Sequence, residues 1–217
     1  MRTWLAIVLL GLSSTVFSAD RLEFTIHKLE SGVEGPTVLV VGGIQGDEPG
    51  GFHAASMLVT HYEVTRGSVW VVPNLNFESI VERSRGVNGD MNRKFAHVKD
   101  NDPDYRAVQR IKALIRDERV DFIFNMHDGS GFYREKHIDR LHSPRRWGQS
   151  IIIDQEVLDV ARYANVGELS RRVVAGVNER LLDREHVYHV KNTRTREGDA
   201  EMAKTLTYFA INNGKAA

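Results

Sequence analysis

Two short runs of apolar residues dominate the hydrophobic pattern of the chain. One run is Thr37-Val38-Leu39-Val40-Val41, and the other is Val120-Asp121-Phe122-Ile123-Phe124-Asn125-Met126. Both are rich in β-branched or aromatic side chains, which is typical of strands buried on both faces of a sheet. The pattern also predicts a strand over residues 68–72 and an alternating edge strand over residues 22–29.

Stretches with helical spacing of apolar residues lie between and after these strands. The predicted helices cover residues 52–61, 104–116, 167–182 and 202–211. Pro49 suits the first turn of the first helix, and Asn213-Gly214 would end the last one. Strands that alternate with helices predict an α/β domain with a mostly parallel or mixed central sheet and helices on both faces.

The N-terminal segment 1–19 has the three parts of a secretory signal. A basic start is followed by an apolar core over residues 4–12 and by small, weakly polar residues over 13–19. The apolar core is shorter than the ~20 residues that span a membrane. We therefore predict a signal peptide cleaved after Ser18 or Ala19 and an exported, soluble domain over residues 20–217. An anchor helix retained at the N-terminus is the alternative.

Composition excludes two classes of function. The chain has 29 basic and 29 acidic residues, so it lacks the basic excess expected of a nucleic-acid-binding protein. It has no cysteine, which excludes disulfides and thiol catalysis.

Polar side chains follow both of the buried strands. Gln45 and Glu48 lie in the loop after the first run, and His127 ends the second. Open α/β sheets bind their ligands at this end of the strands. A catalytic zinc ion takes three protein ligands and leaves a fourth position for water. Glu48 and His127 are ordinary zinc ligands, whereas the neutral amide of Gln45 is a weaker donor.

The simpler alternative assigns no metal to these residues. In that interpretation Glu48 caps the helix that follows it, Gln45 is a solvated loop residue, and His127 is a hydrogen-bonded histidine at a strand end.

Several motifs in one order favour the metal site. The segment from Gly42 to Gly50 resembles the metal-binding loop of the zinc carboxypeptidases (carboxypeptidase A-like), in which His-Gly-x-Glu follows a buried strand. Gln45 stands where that family has histidine. The strand ending in Pro73-Asn74, then Arg85, then the Asn92-Arg93 pair and finally His127 also resemble family motifs, in the same order. The resemblance implies a carboxypeptidase-like fold and a Zn²⁺ cofactor bound by Gln45, Glu48 and His127.

Glutamine at the first ligand position resembles a narrower group, the periplasmic peptidoglycan D,L-carboxypeptidases that determine helical cell shape. That resemblance implies a periplasmic enzyme that trims L-Ala-γ-D-Glu-meso-diaminopimelate stems to the dipeptide. Trp147 is similar to the substrate-side aromatic residue of this group. No nucleic-acid partner and no stable membrane insertion are expected.

The resemblance also implies roles for the polar residues between the metal motifs. Asn92 and Arg93 would bind the terminal carboxylate of the substrate, and Arg85 would stabilise the oxyanion. The general base of the family is a glutamate on the strand after the last predicted helix. That position would lie beyond Ala217, so we expect the sequence to be truncated at its C-terminus.

Two other functions fit the motifs. A metallohydrolase of the same fold could act on another peptide or on an N-acyl amino acid. A non-catalytic binder of cell-wall peptides would keep Arg93 and bind no metal, and the glutamine at position 45 makes this reading possible.

Overall fold

A computed structural model describes residues 23–194 and 199–217. Its central sheet contains β1 (His27–Glu30), β2 (Thr37–Val41), β3 (Ser68–Val72) and β4 (Val120–Asn125), in the order β1-β3-β2-β4. β2 is parallel to both β3 and β4, whereas β1 is antiparallel to β3 at one edge. The prediction of a mixed sheet is confirmed. Its edge strand alternates between half-buried and exposed residues as expected, but it begins at His27 and ends at Glu30, not at residues 22 and 29. The predicted signal segment lies outside the described residues.

In the described part of the chain, five α-helices accompany the sheet: α1 (Pro49–His61), α2 (Phe77–Val81), α3 (Tyr105–Arg116), α4 (Val166–Asn178) and α5 (Leu206–Asn212). Alternate residues of β2 point to opposite faces, as the pleat requires. Leu39 belongs to a core cluster with Ile111 of α3 and Ala210 of α5, whereas Val40 belongs to a second cluster with Ala55 of α1. Helices therefore cover both faces of the sheet, as predicted.

Two predicted helices have different bounds in the structure. The stretch over residues 202–211 is divided into a 3₁₀ turn (Met202–Lys204) and α5. Thr205 separates them because its backbone is extended and its side chain accepts a hydrogen bond from the N–H of Tyr208, which starts a new helix. α4 ends at Asn178 rather than at residue 182, and Leu182 is fully exposed.

The chain leaves the central sheet after β4 and builds two small parallel pairs. β5 (Phe132–Tyr133) pairs with β6 (His142–Ser143), and β7 (Ser150–Ile153) pairs with β8 (His189–Asn192). A 3₁₀ turn over Arg184–His186 precedes β8. Two-residue strands carry too little periodicity to be predicted from sequence.

The segment after α5 returns to the central sheet. Gly214 has a positive φ of 76°, which ends the helix as expected of an Asn-Gly pair. Ala216 then forms a parallel bridge with Phe122 of β4, and its carbonyl accepts a hydrogen bond of 2.9 Å from the N–H of Ile123. No helix in residues 23–194 and 199–217 is both long and apolar enough to cross a membrane.

Candidate metal centre and substrate site

Gln45, Glu48 and His127 meet at the carboxyl ends of β2 and β4. The Nδ1 atom of His127 lies 3.1 Å from Oε1 of Gln45 and 2.7 Å from Oε2 of Glu48. Donor atoms of Gln45 and Glu48 thus face a donor atom of His127, which lies about 80 positions further along the chain. The side chain of Gln45 is buried, with only 1% of the residue exposed.

The donor set fits a zinc ion. Ligand atoms bound at ~2.0–2.2 Å in a tetrahedral arrangement are about 3.3–3.6 Å apart. The separations of 3.1 and 2.7 Å seen here are shorter, because these atoms hydrogen-bond one another, and each pair would have to move apart by less than about 1 Å to bind the ion. Within the described part of the chain, no group of three or more His, Cys, Asp or Glu side chains is arranged to hold a metal. A metal at this point therefore depends on the amide oxygen of Gln45 as its third protein ligand.

The simpler interpretation of these residues disagrees with the geometry in two respects. Glu48 occupies the N-cap position of α1 but its side chain makes no capping hydrogen bond. Its Oε2 atom instead accepts from the N–H of Asp128 at 3.2 Å. Gln45 is a buried residue, not a solvated one.

Two glycines allow the backbone to bring the ligands together. A Cβ atom on Gly51, in the first turn of α1, would collide with the carbonyl of Met126 at the end of β4. A Cβ atom on Gly46 would collide with the backbone of Ser79. The absence of side chains lets the start of α1 lie against the residue that precedes His127 and lets the Gln45 loop pack on α2.

Asp90 fixes the orientation of the Gln45 amide, and the sequence analysis did not identify it. Its Oδ1 atom accepts from Nε2 of Gln45 at 2.8 Å, which leaves Oε1 of Gln45 facing His127. The same oxygen accepts from the backbone N–H of Asn92. The signal available in the sequence was the position of Asp90, two residues before the Asn92-Arg93 motif. Asp47, the acidic residue beside Glu48 in the same loop, is exposed.

Arg85 links the metal residues to Asp90. Its Nη1 atom lies 3.1 Å from Oε1 of Glu48, and its Nε atom lies 3.1 Å from Oδ2 of Asp90. About half of the side chain is exposed. A guanidinium held at the edge of the site by two carboxylates, with its remaining donors free for solvent or ligand, is suited to stabilise negative charge on a bound molecule.

Asn92 and Arg93 follow Asp90 on a 3₁₀ turn (Met91–Arg93). Oδ1 of Asn92 accepts from the N–H of Leu206 at 2.9 Å, so Nδ2 faces the site and lies 3.5 Å from Nε2 of His127. Arg93 contacts Oδ2 of Asp90 at 3.9 Å and Oε2 of Glu201 at 3.3 Å. An amide N–H₂ and a guanidinium side by side form a donor pair that matches a carboxylate.

Glu201 is poorly suited to act as a general base. Lys204, which lies 2.6 Å away, and to a smaller extent Arg93 hold the pKa of Glu201 below its usual range. A general base works best with a pKa near the working pH, so a lowered pKa acts in the wrong direction. Glu197 lies outside the described residues, and the glutamate expected beyond Ala217 stays a prediction.

Trp147 lies beside the residues that follow His127. Its backbone N–H donates to the carbonyl of Ser130, and a Cβ atom on Gly129 would collide with the Trp147-Gly148 backbone. Trp147 is 39% exposed, and the ammonium of Lys191 lies over its indole ring, 4.1 Å from the ring centroid. The structure therefore brings all six predicted residues and Trp147 to one end of the sheet or next to it.

Known proteins resemble this chain over most of its length. A family model described as the catalytic domain of the carboxypeptidase controlling helical cell shape matches residues 1–217. Crystal structures of the cell shape determinant protein Csd4 from Helicobacter pylori resemble it closely. The product-bound and tripeptide-bound forms each share 40% sequence identity, with a TM-score of 0.86, and each match covers 90% of this chain and 48% of Csd4.

A third structure of Csd4 contains a bound ligand, mDAP. The form of H. pylori Csd4 bound to mDAP, described as a D,L-carboxypeptidase, shares 46% identity with a TM-score of 0.81 over 84% of this chain and 44% of the other. The chain thus spans about half the length of the solved structures it matches. A comparison with curated proteins gave no match.

A family model thus covers the whole chain, and solved structures of a cell shape determinant protein share 40–46% sequence identity with it. This chain belongs to the family of carboxypeptidases that control helical cell shape.

Proposed function

We propose that this protein is a zinc-dependent D,L-carboxypeptidase that trims peptidoglycan tripeptide stems to dipeptides in the periplasm and so affects cell shape. The observation that carries the proposal is the convergence of Gln45 Oε1 and Glu48 Oε2 on His127 Nδ1. The descriptions of H. pylori Csd4 as a D,L-carboxypeptidase with tripeptide-bound and mDAP-bound forms support the choice of substrate.

Gln45, Glu48 and His127 would hold the zinc ion. When bound, it supplies a polarised scissile carbonyl and a more acidic water molecule. Asp90 keeps the amide oxygen of Gln45 turned toward the site, because rotation of that amide would present its N–H₂ group, which cannot bind a cation.

Arg93 and Asn92 recognise the free carboxylate next to the scissile amide. The guanidinium is planar and donates in two parallel directions, which suits a carboxylate better than the point charge of a lysine. Glu201 binds the same guanidinium in this structure, and a substrate carboxylate would replace or share that partner. Binding at this position places the amide bond over the metal residues.

Arg85 acts on the charge that develops as the carbonyl becomes tetrahedral. Its guanidinium is held by Glu48 and Asp90, so it needs little reorganisation when the oxyanion forms. Trp147 offers an exposed aromatic face beside the metal residues, where it can pack against the substrate chain.

Digestion of purified muropeptides by the full-length protein tests the proposal. We expect conversion of tripeptide stems to dipeptides with release of diaminopimelate, detected by mass, and loss of this conversion on chelation and in Glu48→Ala. Zinc should restore the chelated protein. If the protein hydrolysed N-acyl amino acids and not the stems, the proposed substrate would be wrong. If it bound the stems tightly but neither hydrolysed them nor bound zinc, it would be a cell-wall peptide binder and not an enzyme.

A further inference from the structure

A basic cleft lies in the segment between β5 and β7. It has a volume of about 710 Å³ and is lined by His137, Arg140, Ser143, Pro144, Arg145 and Arg146. No acidic side chain belongs to this lining. The protein as a whole has a formal net charge of zero, so the cleft is a local concentration of positive charge and not a part of a generally basic surface.

The walls of the cleft are held by specific hydrogen bonds. The guanidinium of Arg146 donates to the carbonyl of Arg140 at 2.6 and 2.8 Å. The carboxylate of Asp139 accepts from the backbone N–H groups of Leu141 and His142 and also lies 2.9 Å from His142 Nδ1. This carboxylate is therefore engaged by the turn itself, and its ion-pair partner is His142 rather than an arginine of the cleft.

Two guanidinium groups in the cleft remain available. Among residues 23–194 and 199–217, no carboxylate lies within ion-pair distance of Arg140 or Arg145, and both residues are exposed. Arg85, Arg93 and Arg171 differ from them, because each contacts a carboxylate. Unpaired arginines on a concave surface are suited to a ligand that carries its own carboxylate.

The cleft adjoins the proposed substrate site through Trp147. Arg145 and Arg146 directly precede Trp147 in the chain. The ammonium of Lys191, which is buried beneath this segment, donates to the carbonyls of Pro144 and Arg146 at 2.7 and 3.1 Å. The Trp147-Gly148 backbone in turn packs on Gly129, two residues after His127. A substrate that packs on Trp147 would extend toward the arginines.

We infer that the cleft binds a second carboxylate of the substrate, one that is not held by Arg93. The inference rests on the proposed function and adds a specificity site to it. The proposed tripeptide has two such groups, the α-carboxylate of D-Glu and the distal carboxylate of diaminopimelate. Either would be paired with Arg140 and Arg145, and both offer the same chemistry.

Binding of three synthetic peptides to the full-length protein, measured with a zinc chelator present so that the peptides are not hydrolysed, tests the inference without depending on turnover. The peptides are L-Ala-γ-D-Glu-mDAP, its analogue with the D-Glu α-carboxylate amidated, and L-Ala-γ-D-Glu-L-Lys, which lacks the distal carboxylate. The variant is Arg140→Gln/Arg145→Gln. The matched control is Arg172→Gln/Arg180→Gln, which removes the same charge from exposed arginines on or just after α4.

We expect the cleft variant to raise the Kd of the first peptide about five- to tenfold, as for two partly exposed ion pairs, and the control variant to leave it unchanged. For one of the two analogues, the wild type and the cleft variant should have the same Kd. The carboxylate that this analogue lacks is then the one that the cleft binds. An unchanged Kd for the first peptide, or an equal rise for all three peptides, would overturn the inference alone. Failure of the wild type to bind any of the peptides would overturn the proposed function with it.

Discussion

At the scale of single residues, the site depends on which atom of an amide faces the metal. Gln45 can present either an oxygen or an N–H₂ group, and the hydrogen bond from Nε2 to Asp90 selects the oxygen. The positions of Gln45, Glu48 and His127 could be predicted from sequence because each follows a buried strand. The role of Asp90 could not be predicted, because Asp90 contacts Gln45 from 45 positions away and the hydrophobic pattern carries no information about such a contact.

Replacing Asp90 tests its role in orienting the amide. Asp90→Ala should weaken zinc affinity about 10–100-fold, the usual effect of losing a group that orients a metal ligand. Asp90→Asn keeps an oxygen atom that can accept from Gln45, so this variant should lose less zinc affinity than Asp90→Ala. Competition with a chelator of known affinity measures both variants. Equal zinc affinity in wild type and Asp90→Ala would show that the amide needs no such support.

Substituting histidine for Gln45 should keep or increase zinc affinity. Imidazole is a better donor for zinc than a neutral amide, and Asp90 could accept from its second ring nitrogen. The same chelator competition applies. A large decrease in affinity would mean that the pocket around position 45, which is almost fully buried, does not accommodate the ring.

Arg93 and Arg85 should affect different kinetic constants. Arg93→Lys should lower kcat/KM strongly, because a point charge replaces a planar fork at the carboxylate. Arg85→Ala should act mainly on kcat, as expected of a group that engages the transition state. Zinc content must be measured alongside, since Arg85 also contacts Glu48. Small and equal effects of the two substitutions on stem hydrolysis would contradict both roles.

At the scale of elements, the turn between α3 and β4 positions the strand that carries His127. Asp117 caps α3, and Arg119 binds both oxygens of its carboxylate at 2.9 and 2.7 Å. Lys215 also donates to the carbonyls of Asp117 and Val120. The bounds of β2, β3 and β4 could be predicted from the apolar runs. The break in the last helix at Thr205 could not, because it depends on one capping hydrogen bond and the helical spacing of apolar residues continues across it.

This turn predicts a pH-dependent contribution to stability. The Arg119 guanidinium lowers the pKa of Asp117 from 3.8 to about 2. A lowered pKa in the folded state contributes stability that is fully present above the unfolded value and is lost as the pH falls toward about 2. Arg119→Gln should therefore decrease Tm by about 1–3 °C at pH 6, and the difference should shrink below about pH 4.

Thermal unfolding at several pH values measures this difference. Arg180→Gln removes an exposed arginine that has no carboxylate partner among the described residues, so it serves as the control and should leave Tm unchanged. A difference between wild type and Arg119→Gln that stays constant from pH 6 to pH 3 would contradict the assignment to the Asp117 carboxylate.

At the scale of the whole molecule, the central sheet brings distant segments to one site. Parallel β2 and β4 end at the same edge, α1 approaches that edge through Gly51, and the segment after β4 folds Trp147 against it. The order of the sheet follows from the apolar runs and the helices between them. The fold of the segment between β4 and α4 could not be predicted in this way. Its strands are short, and it is held by contacts between residues far apart in the sequence, such as those of buried Lys191 with Pro144 and Arg146.

The binding of zinc by Gln45, Glu48 and His127 is tested by elemental analysis of the purified full-length protein and of its His127→Ala variant, together with a determination of zinc affinity. The wild type should bind one zinc ion per chain, and His127→Ala should bind none, because its Nδ1 atom is the point on which Gln45 and Glu48 converge. Asp128→Ala, which alters the neighbouring carboxylate that binds Gly50 and not the metal residues, should retain one zinc. Full zinc occupancy in His127→Ala would contradict the ligand assignment and the mechanism built on it.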